Sequence, residues 1–192
     1  MKCAFLTMDS LEGYQCYDHL AIKPLANLGW LADEVSWRKE GVNWDQYDLV
    51  VIRSPWDYQK DFSKFLEVLK TIENSSAQLA NPLHVVNWNI NKKYLKELET
   101  KGVEIVPTIW RDTIVAEEIN DFFEHFSTEE IIIKPCISAG AYDTFRIKRD
   151  NFQSSSTKLV QLFTNRDCMV QPFMPAILSE GEFSIFYFNN EF

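Results

Sequence analysis

Nothing in the 192 residues approaches the length of a membrane span, and no pair of the 4 cysteines lies at zinc-ligand or redox spacing. Cations are in the minority, with 19 Lys and Arg against 28 Asp and Glu and a formal net charge of -9. Each shortage excludes something. The acidic balance argues against a nucleic-acid partner, because phosphate-backbone binding draws on clustered Lys and Arg; a small charged ligand, held by two or three local cations, stays allowed. Cys3, Cys16, Cys136 and Cys168 are read as unlinked thiols, and the isolated His19, His84 and His125 are given no catalytic role. No G-x-x-x-x-G-K-[ST] occurs, which rules out a Walker loop. The opening MKCAFLTMDS is too brief for a signal-peptide core, so a cytoplasmic location with no membrane partner is the default expectation.

What is present is an ordinary globular composition, 46% hydrophobic and 24% charged, enough for one large domain or two small ones. Strand-like and helical patterns alternate from the start: KCAFLTM, then HLAIKPLANLGW, then DEVSW, then DLVVIRS. Leu49 to Ile52 read as a strand covered on both faces. Asp61 caps a helix whose Phe62, Phe65, Leu66, Leu69 and Ile72 form one apolar face against the sheet.

A second block begins near Asn81. VVNW is expected as a short strand, INKKYLKELETKG as a helix closing on Gly102, and VEIVPTIW as a strand. AEEINDFFEHF reads as an acidic-fronted helix with Glu117 and Glu118 in structural roles. EIIIKP and DTFRIK form a hairpin around a small-residue loop. FQSSSTKLVQLF is then a helix, CMVQPF a strand and EFSIFYF a final strand. That strand runs into the turn signal Asn189–Asn190, from which the chain is expected to continue past Phe192.

Three features carry chemistry. Lys134 ends a strand before the small-residue loop Pro135–Ala141, where backbone N–H groups could approach phosphate oxygens; a plain hairpin turn reads the same way. Lys92 and Lys93 open a helix, where the dipole disfavours cations unless they face an anion, a solvated face being the alternative. In MVQPFMP followed by EGEFSI, an extended Gln-Pro-Phe segment with free backbone groups suits an adenine ring, and a carboxylate after it suits a ribose diol.

Taken in order, these features resemble the ATP-grasp superfamily over roughly Asn87 to Phe192, with the preceding βαβ block matching the family's pre-ATP-grasp domain. The combination RSPWDY, NP, NWNINKKYL and IIIKP is similar to the glutathione-synthetase-like branch that includes the cyclo-ligase of cycloserine biosynthesis. The resemblance implies an α/β and α+β chain, a Rossmann-like pre-ATP-grasp domain over 1–86 followed by an incomplete ATP-grasp domain over 87–192. It puts Lys92 (or Lys93) and Lys134 on the ATP phosphates, Ser138, Ala139, Gly140 and Ala141 in the phosphate-covering loop, and Gln171, Pro172 and Phe173 at the adenine hinge. Glu182, with Glu180 as the other reading, falls at the ribose. The loop departs from many relatives in having one glycine. The magnesium-binding Asp, Glu and Asn of the family are expected beyond residue 192, so no metal ligand is assigned within the chain.

The activity so implied is ATP-dependent joining of a small-molecule carboxylate to an amine or similar nucleophile through an acyl phosphate, with ATP and Mg2+ required and the fragment inactive alone. Arg53, at the carboxyl end of an apolar strand, is a candidate contact for the substrate carboxylate; a structural pairing with Asp57 is the alternative. A non-catalytic nucleotide-binding or structural module and an ATP-grasp small-molecule kinase are the rival readings. Oligomeric state is open, with a homodimer among the options.

Overall fold

Five of the six residues of Lys2–Thr7 (β1) are buried, as an unbroken apolar run requires when it is covered on both faces. The computed structural model, which describes residues 1–185 and 191, places β1 inside a four-stranded sheet. The other strands are Leu31–Ser36 (β2), Leu49–Ser54 (β3) and Gln78–Ala80 (β4), all parallel, in the order β2-β1-β3-β4. Helices His19–Asn27 (α1) and Phe62–Glu73 (α2) make the β1-to-β2 and β3-to-β4 crossovers.

In α2 the spacing Phe65, Leu69 and Ile72 keeps one stripe on the sheet, against Leu6, Trp37 and Val50. The Asp61 carboxylate caps the helix by accepting from the Lys64 N–H at 3.2 Å. Phe62, expected on the same stripe, is instead exposed.

By packing, the chain divides into Met1–Val103 with Cys136–Tyr142, and Glu104–Pro135 with Asp143–Phe192. This division does not follow the 1–86 and 87–192 boundary expected from sequence. Helices Leu83–Asn89 (α3) and Tyr94–Thr100 (α4) stay in the first unit, where Leu83 and Ile90 are buried in its core with Val86 packed on them. The same three residues explain why VVNW is helical and not a strand. Their i, i+3, i+7 spacing is one helix face, and it prevails over the β-branched Val85–Val86 pair.

The second unit is a four-stranded antiparallel sheet in the order β5-β8-β6-β7, formed by Ile109–Arg111 (β5), Glu130–Pro135 (β6), Phe145–Lys148 (β7) and Cys168–Pro172 (β8). Helices Ile119–Phe126 (α5) and Gln153–Leu162 (α6) contribute Phe122, Phe123 and Leu159 to a core with Ile131, Ile133 and Val170. The strand expected over VEIVPTIW is confined to β5. Pro107, which has no N–H to give a ladder, lies just before it. Glu118 is structural as read: it accepts from the Val115 N–H at 3.2 Å and from Arg111 at 2.8 Å.

After β8 the chain turns through Pro175 into the short helix Ala176–Ser179 (α7). Residues 182–185 form neither helix nor strand, contrary to the final strand expected from Glu182; its continuation over 186–188 and the Asn189–Asn190 turn lie outside the described residues.

Candidate functional site

The expected site residues fall into two groups, one in each unit. In the first, Lys92 and the loop Ser138–Ala141 are tied together: the Lys92 N–H donates to the Cys136 carbonyl at 2.8 Å and its ammonium to the Ser138 carbonyl at 2.6 Å. The loop holds its own shape. The Ser138 hydroxyl donates to the Tyr142 carbonyl at 2.7 Å, and the Tyr142 N–H returns to Ala139 at 3.1 Å. Between them Gly140 and Ala141 both sit at φ +57°, in the left-handed region that glycine adopts freely and alanine does not. Nothing lies within 4 Å of a Cβ built on Gly140, so conformation and not space is what calls for glycine there. Lys93 lies beside this arrangement with its N–H on the Asn91 side chain at 2.9 Å.

Arg53 belongs to the same unit but not in the pairing expected. Asp57 is taken by Trp37 Nε1 at 2.8 Å and by Arg38 Nε at 3.0 Å. Arg53 pairs instead with Asp18, its Nε donating at 2.7 Å and its Nη2 to the same oxygen. Ser54 completes the network, its hydroxyl lying 2.8 Å from the second Asp18 oxygen and 2.9 Å from the Thr7 hydroxyl, itself at the end of β1. Burial alone would raise the Asp18 carboxyl, but hydrogen bonds from Ser54, Arg53 and Cys16 and the charge of Arg53 hold it below its ordinary value. Asp18 was not singled out from sequence because it stands where a helix cap would. It caps nothing: its side chain makes no bond to the start of α1.

In the second unit strand pairing decides which side chains share a face. Ile131, Ile133 and Val170 point to the core, so the alternating Glu130, Ile132 and Lys134 of β6 lie on the other face, opposite Gln171 and Met169 of β8. Gln171 is buried there with its amide on the Thr108 hydroxyl at 2.9 Å. Arg146 of β7 is paired across the ladder with Ile132, and its guanidinium lies 3.7 Å from the centroid of the Phe173 ring while bonding Glu130. Thr108 and Arg146 carry no signal in the sequence that separates them from ordinary strand residues.

Lys134 makes no ion pair and no side-chain hydrogen bond among the described residues. Its desolvation pushes the ammonium below its ordinary value, and the negative charge of Glu182 partly opposes this. Glu182 is exposed, in the segment after Gly181, and Glu180 closes α7 with its N–H on Ala176.

The hinge needs one correction. Its backbone donors are not free: Pro172 has none, and the Phe173 N–H is bonded to the Glu130 carbonyl at 2.9 Å. Among the described residues no group of three or more His, Cys, Asp or Glu is placed to hold a metal ion, and no helix is long and apolar enough to cross a membrane.

A parallel α/β unit followed by an antiparallel sheet matches the fold of ATP-grasp proteins of known structure. Residues 3–81 match the family described as the N-terminal domain of D-cycloserine synthetase DcsG. The chain is 26% identical over 170 residues to the cycloserine biosynthesis protein DcsG of Streptomyces lavendulae, spanning 84% of this chain and 55% of that one. It superimposes on a crystal structure of D-cycloserine synthetase DcsG with a TM-score of 0.76 at 22% identity, covering 94% of this chain and 62% of that one. A RimK domain ATP-grasp protein from Sphaerobacter thermophilus gives a TM-score of 0.67 at 14% identity, over 91% and 65% of the two chains. The glutathione synthetase of Buchnera aphidicola is 24% identical over 147 residues, 73% of this chain and 42% of that one. The chain thus spans about half the length of the curated relatives it matches.

Proposed function

We propose that the chain is the ATP-binding portion of an ATP-dependent ligase that activates a small-molecule carboxylate as an acyl phosphate. In this reading Lys92 and Lys134 hold the nucleotide phosphates, Ser138 to Ala141 cover them, Gln171 to Phe173 receive the adenine and Glu182 the ribose. The observation that carries it is Lys134, a desolvated ammonium at a strand end whose opposing charge is a neighbouring glutamate and not a direct partner. A half-buried cation with no ion pair among the described residues is costly, and an anion arriving from outside removes that cost.

A carboxylate oxygen attacks the γ-phosphorus and ADP leaves; an amine then attacks the acyl carbon, loses a proton and expels phosphate. Lysines beside the phosphates stabilise charge that develops during the transfer, so positioning is their main task. Among the described residues no group of three or more His, Cys, Asp or Glu is placed to hold a metal ion, and this reading assigns no magnesium ligand within them.

A nucleotide-binding module without ligase activity is the second reading. It is favoured by the loop, whose single glycine and internal Ser138–Tyr142 bond leave it tied down, with the Lys92 ammonium on its carbonyl. Hydroxylamine separates the two. Incubated with ATP, magnesium and a panel of small carboxylates, the protein should convert one of them to a hydroxamate if an acyl phosphate forms. ATP binding with no hydroxamate from any acid would favour the module, and no ATP binding at all would remove both readings.

A further inference from the structure

The strand order of the first sheet reverses between β1 and β3, since the chain passes from β1 to β2 on one side and returns to place β3 on the other. Open α/β sheets take ligands in the crevice outside the carboxyl ends of the strands at such a point. Thr7 and Ser54 mark those two carboxyl ends, joined through their hydroxyls, and Asp18 anchors Arg53 beside them. The Asp18 side chain is 5% exposed and that of Arg53 45%. Both bonds to Asp18 use Nε and Nη2, so the Nη1 side of the planar guanidinium faces away from its anchor.

Arg53 lines a cavity of about 290 Å3. Its apolar walls include Trp56, Tyr58, Phe65, Val86 and Ile90, and the exposed Asn89 lies at its rim. At ~30 Å3 per water this is room for about ten waters, which suits a ligand of about a dozen non-hydrogen atoms. The lining includes no Asp or Glu. A cationic group would find no counter-charge, whereas a carboxylate finds a guanidinium already immobilised, with little ordering left to be done on binding. Because Asp18 already balances the charge of Arg53, that contact orients a ligand more than it attracts one. The aromatic and branched walls then set the affinity.

We propose that this cavity receives the carboxylate substrate of the ligase, and that the substrate is a small acid bearing a flat or branched apolar substituent. Its carboxylate meets the Nη1 side of Arg53 and its substituent lies against Trp56, Tyr58 and Val86. The inference rests on the ligase reading for the role of the acid, but not for the existence of the pocket.

The test titrates 3-phenylpropanoate, propanoate, succinate and 3-phenylpropanamide into the chain by calorimetry without nucleotide, with ATP titrated separately into the same preparation. Phenylpropanoate is expected to bind at least about tenfold more tightly than propanoate, because an apolar group filling such a pocket is worth about that much. The amide, lacking the charge, should bind about tenfold more weakly than phenylpropanoate. Asn89→Trp, at an exposed rim position, should abolish phenylpropanoate binding by filling the cavity. Arg53→Lys, which keeps a cation beside Asp18 but loses the planar fork, should weaken it about tenfold.

Succinate or propanoate binding as tightly as phenylpropanoate overturns the substrate class. No acid binding, or binding indifferent to Asn89→Trp, overturns the site. ATP bound with no acid bound sinks the pocket and spares the ligase reading; acid bound with no ATP bound sinks that reading and spares the pocket.

Discussion

Replacing Lys134 by Met separates binding from stability, because the two are expected to move in opposite directions. The substitution keeps an unbranched side chain of similar length on β6 and removes an ammonium that burial already disfavours. Without nucleotide the variant should be at least as stable as the parent in urea, with an unchanged slope. With nucleotide it loses a charge-assisted bond to phosphate, about 1.5–3 kcal/mol, or roughly 10- to 150-fold in Kd. At a concentration 100 times the parent's Kd, ATP stabilises the parent by about 2.7 kcal/mol, whereas a variant 100-fold weaker gains only about 0.4 kcal/mol. For a chain of this length that is a thermal shift of roughly 5–10 °C against about 1 °C, easily read by differential scanning fluorimetry. A variant that binds ATP within twofold of the parent refutes the phosphate assignment. One that unfolds at clearly lower urea shows instead that the ammonium has a stabilising partner.

The same lysine gives a pH signature: its folded value lies below the unfolded one, so its cost is present at neutral pH and is relieved as pH rises toward about 10.4. Relative to Lys134→Met, the parent should therefore gain stability on the alkaline side, and a flat difference in melting temperature across that range would refute it. Asp18 runs the other way. Its depressed folded value contributes stability above about pH 3.9 that is lost as pH falls through the folded value, so acid should erode the difference between the parent and Asp18→Asn. Ser54→Ala removes a hydroxyl shared by Asp18 and Thr7 in a buried network, and should cost about 1–3 kcal/mol by urea unfolding; a cost near zero would mean that water replaces it. Phe122→Ala in the second unit should cost about 3–5 kcal/mol and leave near-ultraviolet signals from Trp37 and Trp44, in the first core, unchanged under native conditions.

Much of the fold could be read from periodicity, and where it could not the reason is local. β1, β3 and α2 are long enough, and uniform enough in pattern, for one period to dominate. VVNW failed because four residues hold too little of either period; only the burial of Leu83 and Ile90 on either side reveals the helix. β4, three residues at the sheet edge, was missed altogether, since Gln78–Ala80 has no alternation and its strand character comes from pairing with Leu49–Val51 of β3. VEIVPTIW over-ran for the opposite reason: apolar residues continue through Pro107, but the ladder cannot.

Site residues divide along a similar line. Lys134 could be picked out because an abrupt strand end puts a charge beside a small-residue loop, which is visible in one dimension. The residues that share its sheet could not: Gln171 and Lys134 lie on one face through antiparallel pairing, and Arg146 reaches Phe173 across two ladders. The Arg53 pairing shows the limit most sharply. Asp57 was the nearer carboxylate in sequence, four residues away, yet β3 extends and carries Arg53 away from it, while Trp37 and Arg38 at the end of β2 claim Asp57. The bond to Asp18 closes a separation of 35 residues. It also fixes what Arg53 can do: one edge of the guanidinium is structural, and the same residue lines the cavity. An arginine paired with an exposed neighbour could turn toward solvent. One held by a buried carboxylate, itself held by Ser54, presents the same donor each time a ligand arrives, and that fixed presentation is what lets the apolar walls decide which acid is accepted.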